Sequence, residues 1–195
     1  MANLITLIRM ILALVVVGLL GFQTREIYIT AAVLTAIVIW FDGLDGYVAR
    51  KFNESSRFGA LWDIMGDRVV EMVYWIIFAT LGWLPVWFPI IVVVRGFITD
   101  GFRSVAFEKG FTAFGSSTMM QSKIGKLLVA SNLSRGLYAV SKAFAFVFMI
   151  IGNIPVEFSG KHICLMIGIV CSYISLVFCV LRGLPVILES KRFFE

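Results

Sequence analysis

Four aspartates, Asp42, Asp45, Asp63 and Asp67, crowd one stretch of a chain that holds only five, the fifth being Asp100. Residues three or four apart on a helix share a face, so Asp42 and Asp45 point one way from one helix, and Asp63 and Asp67 point one way from the next. Gly59, one turn before Asp63, lies on that second face. Ionised carboxylates beside apolar surroundings repel one another at a cost of roughly a few kcal/mol each, so a cluster of four requires a counter-charge. Divalent cations supply it. Magnesium or manganese takes oxygen ligands and leaves room for substrate phosphates, and two such ions about 4 Å apart clamp the attacking and leaving oxygens of a phosphoryl transfer. No His or Cys stands near the cluster, which argues against zinc.

The neighbouring residues suit the same chemistry. Gly43, Gly46 and Gly59 remove side chains where a nucleotide must approach a helix backbone, and Arg50 offers a planar fork for a diphosphate. A single glycine is equally well explained by close helix packing. A cluster of carboxylates is less easily explained as a solvated helix end, because such ends mix Lys with Glu.

The elements that carry these residues belong to a membrane protein. Of 195 residues 60% are hydrophobic and the mean hydropathy is +0.96, more apolar surface than one soluble core of this size can hide. About 20 apolar residues span a bilayer, and six such segments fit along the chain, leaving no room for a second domain; residues 1–195 read as one all-α integral-membrane unit. The segments run over Leu4–Leu20, Ile27–Phe41 with a helical extension through Phe52, Arg57–Leu81, Val86–Lys109, Lys123–Ile151 and His162–Leu188, with Asn53–Ser56 as a turn and Gly110–Ser122 as a polar loop. Arg9 inside the first segment, and the lack of a small-residue cleavage site after it, read as a retained helix rather than a secretion signal.

The net charge of +5 follows membrane topology rather than nucleic-acid binding. Arg50, Lys51 and Arg57 mark the second connection, Arg103, Lys109, Lys123 and Lys126 the fourth, and Arg182, Lys191 and Arg192 the tail, whereas the first, third and fifth hold Arg25, nothing and Lys161. The positive-inside rule then places both termini in the cytoplasm, with the chain crossing the cell membrane several times. Cys164, Cys171 and Cys179 all fall in the last apolar segment, as small hydrophobes rather than a disulfide or metal framework.

The run Asp42-x2-Asp45-Gly46-x2-Ala49-Arg50-x8-Gly59-x3-Asp63-x3-Asp67 resembles the signature of the CDP-alcohol phosphatidyltransferases at every fixed position and spacing. The resemblance implies a homodimer whose active site is a polar cavity open to the cytoplasmic side. It implies that Asp42, Asp45 and Asp63 bind Mg2+ or Mn2+, with Asp67 joining them and acting as general base, and that Gly46, Ala49, Arg50 and Gly59 hold the cytidine nucleotide of a CDP-lipid donor. Asn3-Leu4-Ile5-Thr6-Leu7-Ile8-Arg9 is similar to the family's opening stretch, without the proline often found before the asparagine, and makes Asn3, Thr6 and Arg9 candidates for contacts near the donor.

The acceptor is read from the basic residues. Arg95 and Arg103 sit within an apolar segment, and Lys123, Lys126 and Arg135 begin the next, a set able to bind a phosphate on a small alcohol. The Arg95 to Arg103 spacing and Gly125-Lys126 are similar to family members that use glycerol 3-phosphate. Ile64 and Arg68 depart from the proline and lysine usual there, and Arg68 is more like the members that use inositol phosphate, which stays the alternative acceptor. Lys109, Lys123 and Lys126 also read as plain cytoplasmic anchors, and Trp83 and Trp87 as interfacial ones. Asp100 is expected to pair with Arg103, Glu71 with Arg68 or Arg95, and His162 to be solvated. A small cation transporter is the rival from another class, since intramembrane carboxylates also line ion paths. Its carboxylates would lie at the membrane midplane, not at a helix end beside glycines and Arg50.

Overall fold

A computed structural model describes residues 2–51, 57–108, 110, 111 and 119–190, and every regular element among them is helical. The helices are α1 (Ala2–Leu20), α2 (Arg25–Lys51), α3 (Arg57–Thr80), α4 (Trp87–Glu108), α5 (Lys123–Gly125), α6 (Asn132–Gly152) and α7 (Lys161–Ser190), with a π-helical turn over Lys126–Ala130 between α5 and α6. The Asn53–Ser56 turn, most of the expected polar loop, Lys109, Lys191 and Arg192 lie outside the described residues.

Four segments are long and apolar enough to cross a bilayer: Asn3–Leu20, Arg25–Gly43, Lys123–Gly152 and Lys161–Ser190. The remaining two long helices, α3 and α4, fall short in composition rather than length. Asp63, Asp67, Arg68 and Glu71 load α3, and Arg95, Asp100, Arg103 and Glu108 load α4. Large apolar side chains face outward all along the chain, Val33, Phe97, Leu133, Met166 and Leu188 among them, as expected of a protein whose solvent is lipid.

The chain folds as two compact units. The first comprises residues 1–89 and 143–169, where α1 packs against both α2 and α3. Its core is aromatic. Tyr74 stacks on Phe146 with ring centroids 4.6 Å apart, and Trp75 meets Phe146 at 4.7 Å and Phe88 at 4.9 Å. Tyr74 also hydrogen-bonds Thr35 of α2 at 2.9 Å; because the Thr35 hydroxyl donates to the Ala31 carbonyl, Tyr74 is the donor between them. Gly82, at φ +75°, ends α3 with paired bonds from Gly82 N to Ala79 O and from Trp83 N to Phe78 O, and the flanking Trp83 and Phe78 rings lie 5.2 Å apart. This is the left-handed C-terminal cap that glycine adopts without strain. Trp83 therefore serves packing, while Trp87 is exposed.

The second unit comprises residues 90–142 and 170–195, around Ala106, Met119, Met120, Val129 and Val186. Here the structure corrects the sequence reading, which treats Lys123–Ile151 as one helix. The helix breaks at Ser131, which takes an extended conformation (φ −69°, ψ 138°), and its hydroxyl accepts from Ser134 N at 3.1 Å to start α6 afresh. Serine competes with the helical backbone for hydrogen bonds in this way and favours caps. Ahead of the break, the widened turn has its carbonyls satisfied by side chains: Ser134 donates to Leu128 O at 2.7 Å, and the buried Arg182 of α7 donates to Ser134 Oγ at 2.9 Å and Val129 O at 3.3 Å. Glu189 accepts from Gln121 N and Ser122 Oγ, both at 2.5 Å, and ties the start of this segment to α7.

Candidate active site

Three of the four clustered aspartates converge in the first unit, and what they converge on is Arg9. Asp42 reaches it from α2, Asp63 and Asp67 from α3 at the i, i+4 spacing that keeps both on one face. Arg9 Nη1 donates to Asp42 Oδ1, Nη2 donates to Asp67 Oδ1 at 2.7 Å, and Nη2 lies 3.5 Å from Asp63 Oδ1. The guanidinium thus bridges both arms of the helical hairpin. Its burial contrasts with theirs: the Arg9 side chain is 1% exposed, while Asp42, Asp63 and Asp67 are 51%, 47% and 48% exposed. Arg9 forms the floor of the cluster, and the carboxylates keep an open side from which a ligand can approach.

The sequence pattern left Arg9 as one of three minor candidates and passed over the residue that lets it in. Gly66, between Asp63 and Asp67, faces α1: a Cβ there would lie 2.6 Å from Thr6 Cγ2 and 3.3 Å from Arg9 Nη2. Only glycine admits α1 this close to the aspartate face of α3. Thr6 is buried beside it, one turn before Arg9, whereas Asn3 is exposed. The signal was available in the i, i+3 spacing of Thr6 and Arg9 opposite a glycine flanked by two aspartates.

The backbone of α2 runs through Asp45, Gly46, Ala49 and Arg50, but their side chains lie outside the described residues. Gly59 is half-buried on α3. A Cβ at Gly43 would meet no described atom within 4 Å. Among the described residues no group of three or more His, Cys, Asp or Glu is arranged as a metal cage. Asp42, Asp63 and Asp67 nonetheless bring half-open carboxylate oxygens around one positive charge, and carboxylate oxygens are what a hard divalent cation takes.

The basic residues expected at an acceptor phosphate lie in the second unit. Arg95 is buried and lies across Gly183 of α7, where a Cβ would come within 2.9 Å of both Cγ and Nε of the arginine. Arg103 pairs with Asp100 at 3.4 Å, as its spacing indicates, while Lys123, Lys126 and Arg135 are exposed. Glu71, 3% exposed, pairs with Arg68 at 3.4 Å, and His162 is exposed. The sequence reading counts Arg182 among the basic residues of the tail and leaves Glu189 unremarked; the structure buries Arg182 within α7, where it and Glu189 hold the segment around Lys123 and Lys126.

Comparison with known proteins gives the same direction. The chain is 41% identical over 76 residues to a Mycoplasma genitalium CDP-diacylglycerol–glycerol-3-phosphate 3-phosphatidyltransferase, covering 39% of this chain and 31% of that one. It is 32% identical over 78 residues to the Bacillus subtilis protein of that name, covering 40% of each, and 35% identical over 72 residues to a putative cardiolipin synthase of Mycobacterium bovis, covering 37% of this chain and 34% of that one. The matched segments thus span only 31–40% of the relatives' lengths. The model of one family extends over residues 1–181, nearly the whole chain and all of the aspartate hairpin, and the chain belongs to the CDP-alcohol phosphatidyltransferase family.

Proposed function

We propose that this protein transfers the phosphatidyl group of CDP-diacylglycerol to glycerol 3-phosphate, releasing CMP and forming phosphatidylglycerophosphate. The observation that carries the reading is the convergence of Asp42, Asp63 and Asp67 from two helices onto one charged point, with an open side, within a family match. Asp42, Asp45, Asp63 and Asp67 would hold two Mg2+ or Mn2+ ions, which when bound neutralise the charge that builds on the transferring phosphoryl group. Gly46, Ala49, Arg50 and Gly59 would receive the cytidine nucleotide. Asp67 takes the proton from the acceptor hydroxyl, whose oxygen attacks the lipid-bearing phosphorus as the bond to CMP breaks. Arg95, Arg103, Lys123, Lys126 and Arg135 would bind the acceptor's phosphate.

Six crossings of the cell membrane, with both termini and the aspartate cavity on the cytoplasmic side, give each substrate its route. The donor's chains stay in lipid and the acceptor arrives from water. The polar load on α3 and α4 is consistent with these helices crossing as part of a bundle rather than alone. A homodimer is the expected assembly.

The relatives named putative cardiolipin synthases favour one second reading, in which the acceptor alcohol is itself a phospholipid, phosphatidylglycerol. The test is CMP release by purified protein with CDP-diacylglycerol and Mg2+ or Mn2+, offered glycerol 3-phosphate, inositol 1-phosphate, phosphatidylglycerol, serine and water separately. Release with glycerol 3-phosphate alone establishes the reading, release with another acceptor replaces the acceptor, and silence with all of them overturns it.

A further inference from the structure

Arg9 is among the largest wholly buried side chains of the protein, and it lies where the aspartate oxygens meet. A buried guanidinium is costly unless paired, and three carboxylates are strongly repulsive without a cation, so each solves the other's problem. We propose that Arg9 is the resident counter-ion of the aspartate cluster, and that divalent metal loads by exchanging with it. The inference rests on the metal-dependent reading above and concerns what the protein does before substrate arrives.

The exchange follows from electrostatics. A guanidinium and a divalent cation repel each other when they share the same carboxylate oxygens, so every increment of metal binding is opposed by Arg9. Two divalent ions would neutralise the four carboxylates in full and weaken the hold of those carboxylates on the guanidinium. The anion then at hand is a phosphate of the donor's diphosphate, which a planar guanidinium fork binds bidentately. Arg9 thereby couples metal loading to donor binding: metal releases it, and a donor phosphate takes it up. The same arrangement keeps the aspartate hairpin folded when metal is scarce, because α1, α2 and α3 stay pinned through one group.

The test is Mn2+ binding, followed by the electron paramagnetic resonance of free Mn2+, for detergent-purified wild type, Arg9→Gln and Arg9→Lys, with thermal unfolding of each in EDTA and in Mn2+. Arg9→Gln is expected to bind Mn2+ about tenfold or more tightly than wild type, since the competing charge is gone. Arg9→Lys, which keeps a charge but lacks the fork, falls between them and decides the question should the glutamine variant not fold. Arg9→Gln is also expected to melt below wild type in EDTA, with the gap closing in Mn2+. A merely structural arginine predicts weaker or unchanged Mn2+ binding in its variants, and that result overturns the inference while leaving the enzyme reading intact. Wild type that binds no Mn2+ overturns the metal reading and this inference together.

Discussion

Gly66 and Arg9 share one space: a Cβ on the glycine would stand 3.3 Å from Arg9 Nη2 and 2.6 Å from Thr6 Cγ2 on the same helix. The absence of a side chain on α3 is what allows a cation on α1 to sit among aspartates of α2 and α3. Gly66→Ala forces α1 outward or the guanidinium off its partners, and overpacking of this kind costs about 1–3 kcal/mol. A lower melting temperature together with reduced CMP release is expected. An alanine variant that matches wild type in both would show that the contact is looser than the geometry states.

Asp67 is half exposed although it accepts from Arg9, which leaves its carboxylate accessible as the proposed base role requires. Asp67→Asn keeps the shape, leaves Asp42 and Asp63 on Arg9, and removes the proposed base. Transfer should fall by about 10²–10⁴-fold with the folded protein retained on size-exclusion chromatography. Appreciable residual turnover would take Asp67 out of the base role.

Arg182 reaches the widened turn before α6 through Ser134 Oγ and Val129 O, in a segment that begins with Lys123 and Lys126. Arg182→Met should loosen that segment and raise KM for the phosphorylated acceptor several-fold, with KM for CDP-diacylglycerol near wild type. Parallel rises in both constants would mean that the turn does not serve the acceptor.

The bond from Tyr74 to Thr35 lies two turns along α3 and α2 from Asp67 and Asp42, and Thr35 keeps its bond to Ala31 O without it. Tyr74→Phe is expected to cost about 1 kcal/mol of stability and nothing in turnover. A loss of activity at unchanged stability would point to coupling between this core and the aspartates.

EDTA should abolish CMP release, with Mn2+ or Mg2+ restoring it and Ca2+ doing so poorly, because the larger ion takes more ligands in looser geometry. Full activity after exhaustive chelation would rule out the four aspartates as a metal site.

The chain by itself determined the family and the kind of protein. Asp42, Asp45, Asp63 and Asp67 stand at spacings that a helix converts directly into shared faces, and the long apolar runs leave the bilayer as the only adequate solvent. Local pairs such as Arg68 with Glu71 and Asp100 with Arg103 were legible for the same reason, since three residues on a helix fix proximity. Tertiary structure decided what spacing cannot encode. Arg9 meets Asp42 across 33 positions and Asp67 across 58, and no periodicity along one helix announces a partner on another. Arg182 holds Val129 across 53 positions in the same way, and the break at Ser131 depends on a hydroxyl choosing a cap over a continuous helix. Helical geometry acts over one turn and is written in the sequence, whereas a buried charge finds its counter-ion only when packing brings separate helices together.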